Sequence, residues 1–393
     1  FSSRRRHTRC LSDWSSYVCS SDLSTSENDG ISEGVLSAIK AAKNSSKKIK
    51  VRLADSPTNI KTVQHKSNEK PEIDEISKIA LESDSIMKES RNITRRNIFA
   101  QINNSEKKFE NSEGTEIIQN FYDCTMDLTV TARYGITQSV NITEGGRGGI
   151  HSLDAAPKSA KEISEKACEL LNAKPPKEEI ATLVMNPDFV SLLTHEILGH
   201  PSEADRVLGK EMAWAGGAWW AGKLGQKIAS ESLNVIDDPT ISGSLGEFEF
   251  DDEGVKTKKV KLLHDGILVN HMHSRETAKI FDVEPTGSMR ASSYQFMPLI
   301  RMSCTCIEPG DWDPQEIISD VKHGYLISNM KVPSIDMRRH NWSISAQYAN
   351  RIENGQIKEL IRDVIIVGTA PEFFSTIDAC GTDFTVQIGR AHV

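Results

Sequence analysis

Hydrophobic and polar positions along this chain change period, and the changes predict its elements. Between Glu69 and about Asn97, apolar residues recur at helical spacing, which predicts one long amphipathic helix. From 98 to 149 they alternate with polar residues between Asn, Ser and Gly turns, which is typical of an antiparallel meander. A second amphipathic helix is predicted over 155–173.

The flanking segments add strands and one apolar helix. IKVRLAD at 49–55 predicts a strand before the first helix. After a linker, KPPKEE, the run EIATLVMNP predicts a buried strand, and Asp188 is predicted to cap the apolar helix FVSLLTHEILGH. The rest consists of short predicted strands joined by turns such as Asp265-Gly266 and Asn354-Gly355.

Composition narrows the functional classes. The 393 residues are 38% hydrophobic and 26% charged, enough to bury one large core or two. A net charge of -8 argues against nucleic-acid binding, which needs a clustered basic surface. No apolar run approaches the roughly 18 to 20 residues that cross a bilayer. The scattered cysteines make no disulfide framework. We therefore expect a cytoplasmic protein without membrane or direct nucleic-acid contact.

The sharpest chemical signal is the segment from His195 through Glu196 to His200. Neutral imidazoles are good zinc ligands, and a glutamate beside one stands where a metal-bound water needs a general base. Its spacing is H-E-x-x-x-H, and residues five apart on a regular helix point about 140° apart. The helix must therefore end, widen or kink, which Gly199 and Pro201 would permit. From the motif alone, histidines that only make hydrogen bonds stay an open alternative.

Other chemical candidates are weaker. His271 and His273 alternate on a predicted strand, which is more typical of a partly exposed pair than of a metal site. The acidic segment 251–253 lacks the spacing of a calcium loop and predicts a turn. Three tryptophans among glycines at 212–225, including Trp214, fit either a flexible loop lining a peptide cleft or a packed core segment.

The chain closely resembles the TldD/PmbA family of metallopeptidases, also called modulators of DNA gyrase. The likeness runs from about 100 to 387 and is carried by motifs in this order: HEILGHPSEAD, IDDPT, FDDEG, HDGIL, PTGSMRASSY, PLIRM, EPG, IENG and VGTAP. Within the family, the member with H-E-x-x-x-H is the catalytic subunit and its homologous partner lacks the motif. The chain resembles the catalytic type.

By this resemblance, His195 and His200 bind Zn²⁺ and Glu196 activates the attacking water. The family's third ligand is a cysteine in a C-G-K-type segment near the C-terminus. Cys380 is one candidate, but the residues that follow it are more similar to the stretch that precedes the ligand cysteine. The resemblance therefore favours a ligand beyond Gln387.

The predicted fold class is α+β: an N-terminal α/β region with antiparallel strands and amphipathic helices, then a mainly antiparallel β domain that carries the metal-binding helix. We place these domains at 24–176 and 177–387. Segments 1–23 and 388–393 are interpreted as sequencing-adapter artefacts, because IGRAHV is the in-frame translation of a common adapter read and 17–23 resembles its opposite strand. On this hypothesis the polypeptide is truncated at both ends.

The resemblance implies a zinc-dependent metallopeptidase that hydrolyses unfolded or flexible peptides, bound as an added strand at a sheet edge. It also implies a homologous PmbA/TldE-like subunit as partner in a hetero-oligomer, or a self-dimer. The alternative is a catalytically incomplete fragment that acts as a binding or scaffold subunit, because loss of one ligand weakens zinc binding. A hydrolase of another bond also stays open, since zinc–water chemistry does not select peptides.

Overall fold

A computed structural model describes residues 36–37, 39–40, 43–44, 51–64, 71–210, 216–293 and 296–386. The segments interpreted as adapter artefacts, 1–23 and 388–393, lie outside these residues, as does Trp214. None of the described helices is long and apolar enough to cross a membrane.

Strands and helices alternate irregularly along the chain. The strands are β1 (Ile60–Gln64), β2 (Ile93–Glu110), β3 (Glu116–Tyr134), β4 (Ile136–Arg147), β5 (Thr182–Met185), β6 (Val235–Asp237), β7 (Val260–His264), β8 (Ile267–Leu268), β9 (Met289–Arg290), β10 (Leu299–Ile300), β11 (Thr305–Ile307), β12 (His323–Ile335), β13 (Asn341–Glu353), β14 (Gln356–Arg362) and β15 (Ile365–Thr369). The helices are α1 (Ile73–Lys88), α2 (Ala156–Glu169), α3 (Pro187–Leu193), α4 (Ala204–Val207), α5 (Arg275–Phe281), α6 (Pro314–Asp320) and α7 (Ala370–Ser375).

The N-terminal sheet is the predicted antiparallel meander, and the prediction is confirmed. Strand β3 pairs with β2 along one edge and with β4 along the other, both antiparallel. Period-2 alternation places Leu128 and Val130 on the covered face, where they are fully buried. Helices α1 and α2 pack together, and Met87 and Ile163 join the same apolar core.

Two N-terminal predictions need correction. Residues 51–55 of the predicted strand are irregular, and the strand lies at β1 instead, where it pairs in parallel with the start of β3. That partner is distant in sequence, so local alternation could not indicate it. The first helix ends at Lys88 rather than near Asn97, because β-branched Ile93 already begins the edge strand β2.

The C-terminal part contains a five-stranded sheet and a four-stranded sheet. In the larger sheet β13 pairs with β12, β14 and β15, all antiparallel, while β5 adds in parallel to β12 and forms an edge. The smaller sheet has the order β11-β6-β7-β8. Both predicted tight turns are confirmed: Asp265, Gly266, Asn354 and Gly355 all have positive φ, as a type I′ turn requires. The predicted α+β class is therefore confirmed.

One apolar core joins the two C-terminal sheets to helix α3. It combines Phe189 of the helix with Leu262 of the smaller sheet and Ile344 of the larger sheet, all three fully buried. Because the helix packs against both sheets, the histidine segment that follows it starts from a fixed position.

Side chains of the N-terminal sheet hold a C-terminal segment by its backbone. The amide of Gln119 donates to the carbonyl of Phe250 at 2.8 Å and accepts from the Phe250 N–H at 3.1 Å. The guanidinium of Arg147 donates to the carbonyl of Leu245 at 3.1 Å. The N-terminal sheet thereby fixes a loop that reaches the site described next.

Candidate metal centre

The histidine segment lies in a widened helical turn. Helix α3 continues directly into a π-helical turn, Thr194–Gly199, and then a 3₁₀ turn, His200–Ser202. The N–H of His200 donates to the carbonyl of His195, a bond between residues five apart. Of the three predicted alternatives, an end, a widening or a kink, the structure has the widening, and π-turns of this kind recur at functional sites.

Local residues explain the boundaries of the wide turn. A Cβ atom on Gly199 would lie 1.8 Å from the sulfur of Met302, so any larger residue would force the Met302 side chain to move. Pro201 has no N–H to extend the helix. At the other end the N-cap of α3 is Asn186, which corrects the prediction for Asp188; that residue lies in the first turn.

The wide turn brings the three predicted site residues together. The rings of His195 and His200 meet edge to face with centroids 4.8 Å apart. The ligand atoms of His195, Glu196 and His200 all lie within 4.8 Å of one another, the one such group of three in the described part of the chain. Two imidazoles and a carboxylate are the donor types that zinc accepts. The residues therefore fit a zinc ion.

Glu203, which the sequence reasoning missed, holds the second ring nitrogen of His200. Its Oε1 lies 3.0 Å from the His200 Nδ1, and its side chain is fully buried. Burial raises the pKa of Glu203, but His200, Arg206 and Arg301 outweigh that effect and lower it to about 2. A carboxylate on Nδ1 fixes the tautomer and leaves Nε2 for a metal. The spacing H-x-x-E, one helical turn, was the available signal.

Arg339 is a second residue that the sequence reasoning missed. Its guanidinium donates to Oε2 of Glu196, and both side chains are largely buried. Burial lowers the pKa of Arg339 to about 10. Arg339 lies on the turn between β12 and β13, 143 residues after Glu196. No local pattern could connect them.

Two tryptophans support the wide turn from outside. The indole of Trp219 donates to the carbonyl of Ile197 at 2.9 Å, and that of Trp220 donates to the carbonyl of Pro201 at 2.6 Å. Both side chains belong to the apolar core. Of the two open interpretations of the aromatic segment, the packed one holds for these residues, and its hydrogen bonds go to the metal-site backbone.

The second histidine pair differs from its prediction. His271 and His273 lie outside regular strands and are 1% exposed, so they are not a partly exposed strand pair. Burial lowers the pKa of His271 to about 4; burial, with His271 and Lys258, lowers that of His273 to about 3. Their rings pack on Phe281, and neither joins the metal-ligand group.

Two further candidates also lie outside the group of three. Cys380 is packed against Gly310, and its carbonyl accepts from Trp312. The acidic segment 251–253 forms the predicted turn, in which the Asp251 carboxylate accepts backbone N–H groups, including that of Val255.

Two members of the group, His195 and His200, line a large groove of about 3130 Å³. Its lining includes His195, His200, the edge strand β5, the loop 244–246 and the segment 376–381. Within the described chain, β5 pairs only with β12, so its other edge has no strand partner. The groove therefore joins a possible metal site, an open strand edge and the loop fixed by the N-terminal sheet.

Two family models match the chain. Residues 178–392 match the C-terminal domain of the PmbA/TldA metallopeptidases, and residues 66–174 match the central domain. Together they cover most of the sequence.

Curated relatives and solved structures agree with this match. A metalloprotease of Methanocaldococcus jannaschii is 34% identical over 71% of the chain and 60% of its own length. A zinc metalloprotease TldD homolog of Saccharolobus solfataricus is 30% identical over 72% of the chain and 62% of its own length. The chain thus spans less than two thirds of these relatives.

The similar solved structures show the fold. A proposed modulator of a DNA gyrase from Thermotoga maritima superposes with a TM-score of 0.78 at 20% identity, covering 92% of the chain and 81% of that protein. TldE from Thermococcus kodakarensis gives a TM-score of 0.72 at 21% identity, covering 91% of the chain and 80% of that protein.

Proposed function

Because the chain belongs to the PmbA/TldD family of metallopeptidases, we propose that it is the zinc-dependent, catalytic type and hydrolyses peptide bonds of flexible peptides. The observation that carries this proposal is the π-helical turn. It brings the ligand atoms of two imidazoles and a glutamate of an H-E-x-x-x-H motif within 4.8 Å of one another, and the two histidines line an open groove.

His195 and His200 would hold the zinc ion, with Glu203 fixing the ring of His200. Bound zinc would lower the pKa of a coordinated water and polarise the scissile carbonyl. Cys380 lies outside the ligand group, which argues against Cys380 as a third ligand.

Glu196 is the proposed general base. It is the carboxylate nearest in sequence to the ligands, and its oxygens lie within 4.8 Å of their ligand atoms. In this role it takes a proton from the attacking water and returns it to the leaving amine. Burial at 6% exposure keeps bulk water from competing for that proton.

The substrate would bind as an added strand along β5. That edge lines the groove, and its backbone groups have no strand partner in the described chain. Strand addition uses main-chain hydrogen bonds and needs an extended peptide, which a folded substrate does not offer. This supports flexible peptides as the substrate class.

A homologous PmbA/TldE-like subunit is the proposed partner, with a self-dimer as the second possibility. The similarity to the TldE structure supports a shared fold for the two subunits. We also propose a cytoplasmic setting, which the free state of Cys124, Cys168, Cys304, Cys306 and Cys380 supports.

The test is Glu196→Gln, assayed for cleavage of an unstructured peptide and for zinc content. We expect cleavage to fall by about 100- to 10,000-fold, because general-base catalysis contributes that much. Zinc should stay bound by the histidines. Glu165→Gln, at an exposed ion pair with Lys161 on helix α2 and away from the groove, is the control and should change neither.

Retained cleavage in Glu196→Gln would refute the role given to Glu196. Absence of both zinc and cleavage in the unaltered protein would favour the alternative, a catalytically incomplete binding or scaffold subunit. Hydrolysis of a non-peptide bond in place of the peptide would favour a hydrolase of another class.

A further inference from the structure

The metal site leaves one chemical question open within its own residues. His195, Glu196 and His200 all offer ligand atoms to the same point, so Glu196 could serve as a third protein ligand or as a base. A single carboxylate oxygen cannot do both at once, because coordination uses the lone pair that would take the proton; only a carboxylate whose second oxygen is free could share the two roles. Something must decide between the two roles.

We propose that Arg339 makes this decision: its ion pair holds the Glu196 carboxylate away from the metal, so that Glu196 acts as the base and not as a ligand. The inference rests on the proposed function and deepens it. Arg339 is a positioning residue in this account, because it acts through Glu196.

The contact between the two side chains is buried. Arg339 donates to Oε2 of Glu196, with side-chain exposures of 15% and 7%. A buried carboxylate without a partner is strongly unfavourable, so Glu196 must satisfy its charge with a nearby cation. Two cations compete for it, the guanidinium of Arg339 and a bound zinc ion. Because Arg339 occupies Oε2, the fold supplies the guanidinium as the partner of that oxygen, and a zinc ion could not take both oxygens.

The turn that carries Arg339 is built to hold it in place. Arg339 has φ of +61°, a left-handed conformation that is uncommon for a large side chain. The Asp336 carboxylate fixes this turn by accepting the N–H groups of Arg338, His340 and Asn341, each at 2.9 Å. A strained backbone persists only where its surroundings determine it, as they do here.

The same turn is anchored to neighbouring elements on both sides. The carbonyl of Met337 accepts the N–H of Gly217 at 2.8 Å, and the carbonyl of His340 accepts that of Ala370 at 2.7 Å. A Cβ on Gly216 would lie 2.0 Å from the Met337 carbonyl, so the two backbones are in close contact. The guanidinium therefore reaches Glu196 from a rigid support.

The experiment compares Arg339→Gln and Arg339→Lys with Arg338→Gln. Arg338 is the adjacent, exposed arginine of the same turn and is the matched control. Zinc affinity is measured by competition with a chromophoric chelator, and kcat and KM are measured with an unstructured peptide. Thermal unfolding checks that each variant folds.

Arg339→Gln should bind zinc about 10-fold more tightly, since Glu196 is released to coordinate it. Its kcat should fall about 100-fold, with KM little changed, because the base is lost. Arg339→Lys keeps the positive charge but lacks the planar guanidinium. Its kcat and zinc affinity should lie between those of the unaltered protein and those of Arg339→Gln. Added methylguanidinium should restore part of the kcat of Arg339→Gln, which a purely structural defect would not allow.

The double variant Glu196→Gln/Arg339→Gln isolates the coupling. Relative to Glu196→Gln alone, it should show no further loss of kcat and no gain in zinc affinity. Weaker zinc binding in Arg339→Gln, or an unchanged kcat, would overturn the inference. If the unaltered protein binds zinc but cleaves no peptide, the proposed function fails, and the zinc-affinity comparison still decides the role of Arg339.

Discussion

Two close pairs of histidines lie in the described part of the chain, and one of them belongs to the group that could hold a metal ion. The rings of His195 and His200 are 4.8 Å apart at the wall of a groove, whereas those of His271 and His273 are 6.1 Å apart in the interior. In sequence the second pair looks simpler, because its histidines are only two residues apart. Proximity in sequence is therefore a poor guide to coordination.

The surroundings of each pair explain the difference. In the first pair a buried carboxylate, Glu203, lies 3.0 Å from the His200 Nδ1 and orients the ring. In the second pair the rings pack on Phe281, and the His271 Nδ1 has no hydrogen-bond partner. A metal centre needs convergent ring nitrogens, a carboxylate behind them and access from solvent.

The largest effect on the first histidine pair is expected from removing the carboxylate of Glu203. Glu203→Gln keeps the shape of the side chain but loses the negative charge that faces the His200 ring. Zinc affinity should therefore fall by about 10- to 100-fold. The measurement is a chelator competition titration. Glu231→Gln, at an exposed ion pair with Lys227, and Cys380→Ser are controls that should leave zinc affinity unchanged. Unchanged affinity in Glu203→Gln would contradict the role of Glu203.

Acid should destabilise the protein through the second pair. Folding lowers the pKa of His271 to about 4 and that of His273 to about 3, from 6.5. Between pH 6.5 and these lower pKa values, the unfolded chain binds more protons than the folded protein does. The free energy of unfolding therefore decreases as pH falls below 6.5. We expect a loss of about 2 kcal/mol per histidine at pH 5.

This pH effect is measured by urea unfolding of the metal-free protein at pH 7 and pH 5. His273→Asn removes one of the two buried rings and should make the dependence on pH about half as steep. His151→Asn, at an exposed position, is the control and should leave it unchanged. An identical pH dependence in His273→Asn would show that other groups are responsible.

The hydrogen bond from Trp219 to the wide turn should make a smaller contribution, to stability. Trp219→Phe removes the hydrogen bond to the Ile197 carbonyl while keeping most of the packing, so it should lower the free energy of unfolding by about 1 kcal/mol. Trp312→Phe, at a half-exposed position, should have a negligible effect. Equal changes in the two variants would show that the indole bond does not support the turn.

The sequence predicted the parts of this molecule that depend on local pattern. The meander at β2–β4 and the turn at Asn354-Gly355 follow from alternation and from residues that tolerate positive φ. Helix geometry also predicted that the regular helix must end, widen or kink between His195 and His200, while the choice of a widened turn came from the structure. Sequence reasoning missed Arg339 and the pairing of β1, since both depend on contacts between distant segments.

The loop 244–246 contacts two parts of the molecule. It lines the groove, and Arg147 of the N-terminal sheet donates to its backbone. Binding and domain docking are therefore linked, and linkage is reciprocal. A ligand that binds better when this loop is in its present position would stabilise the contact between the loop and the N-terminal sheet. By reciprocity, that contact would increase the ligand's affinity by the same free energy. Through this loop, the N-terminal sheet would influence the affinity of any ligand that contacts the loop, without touching His195 or His200.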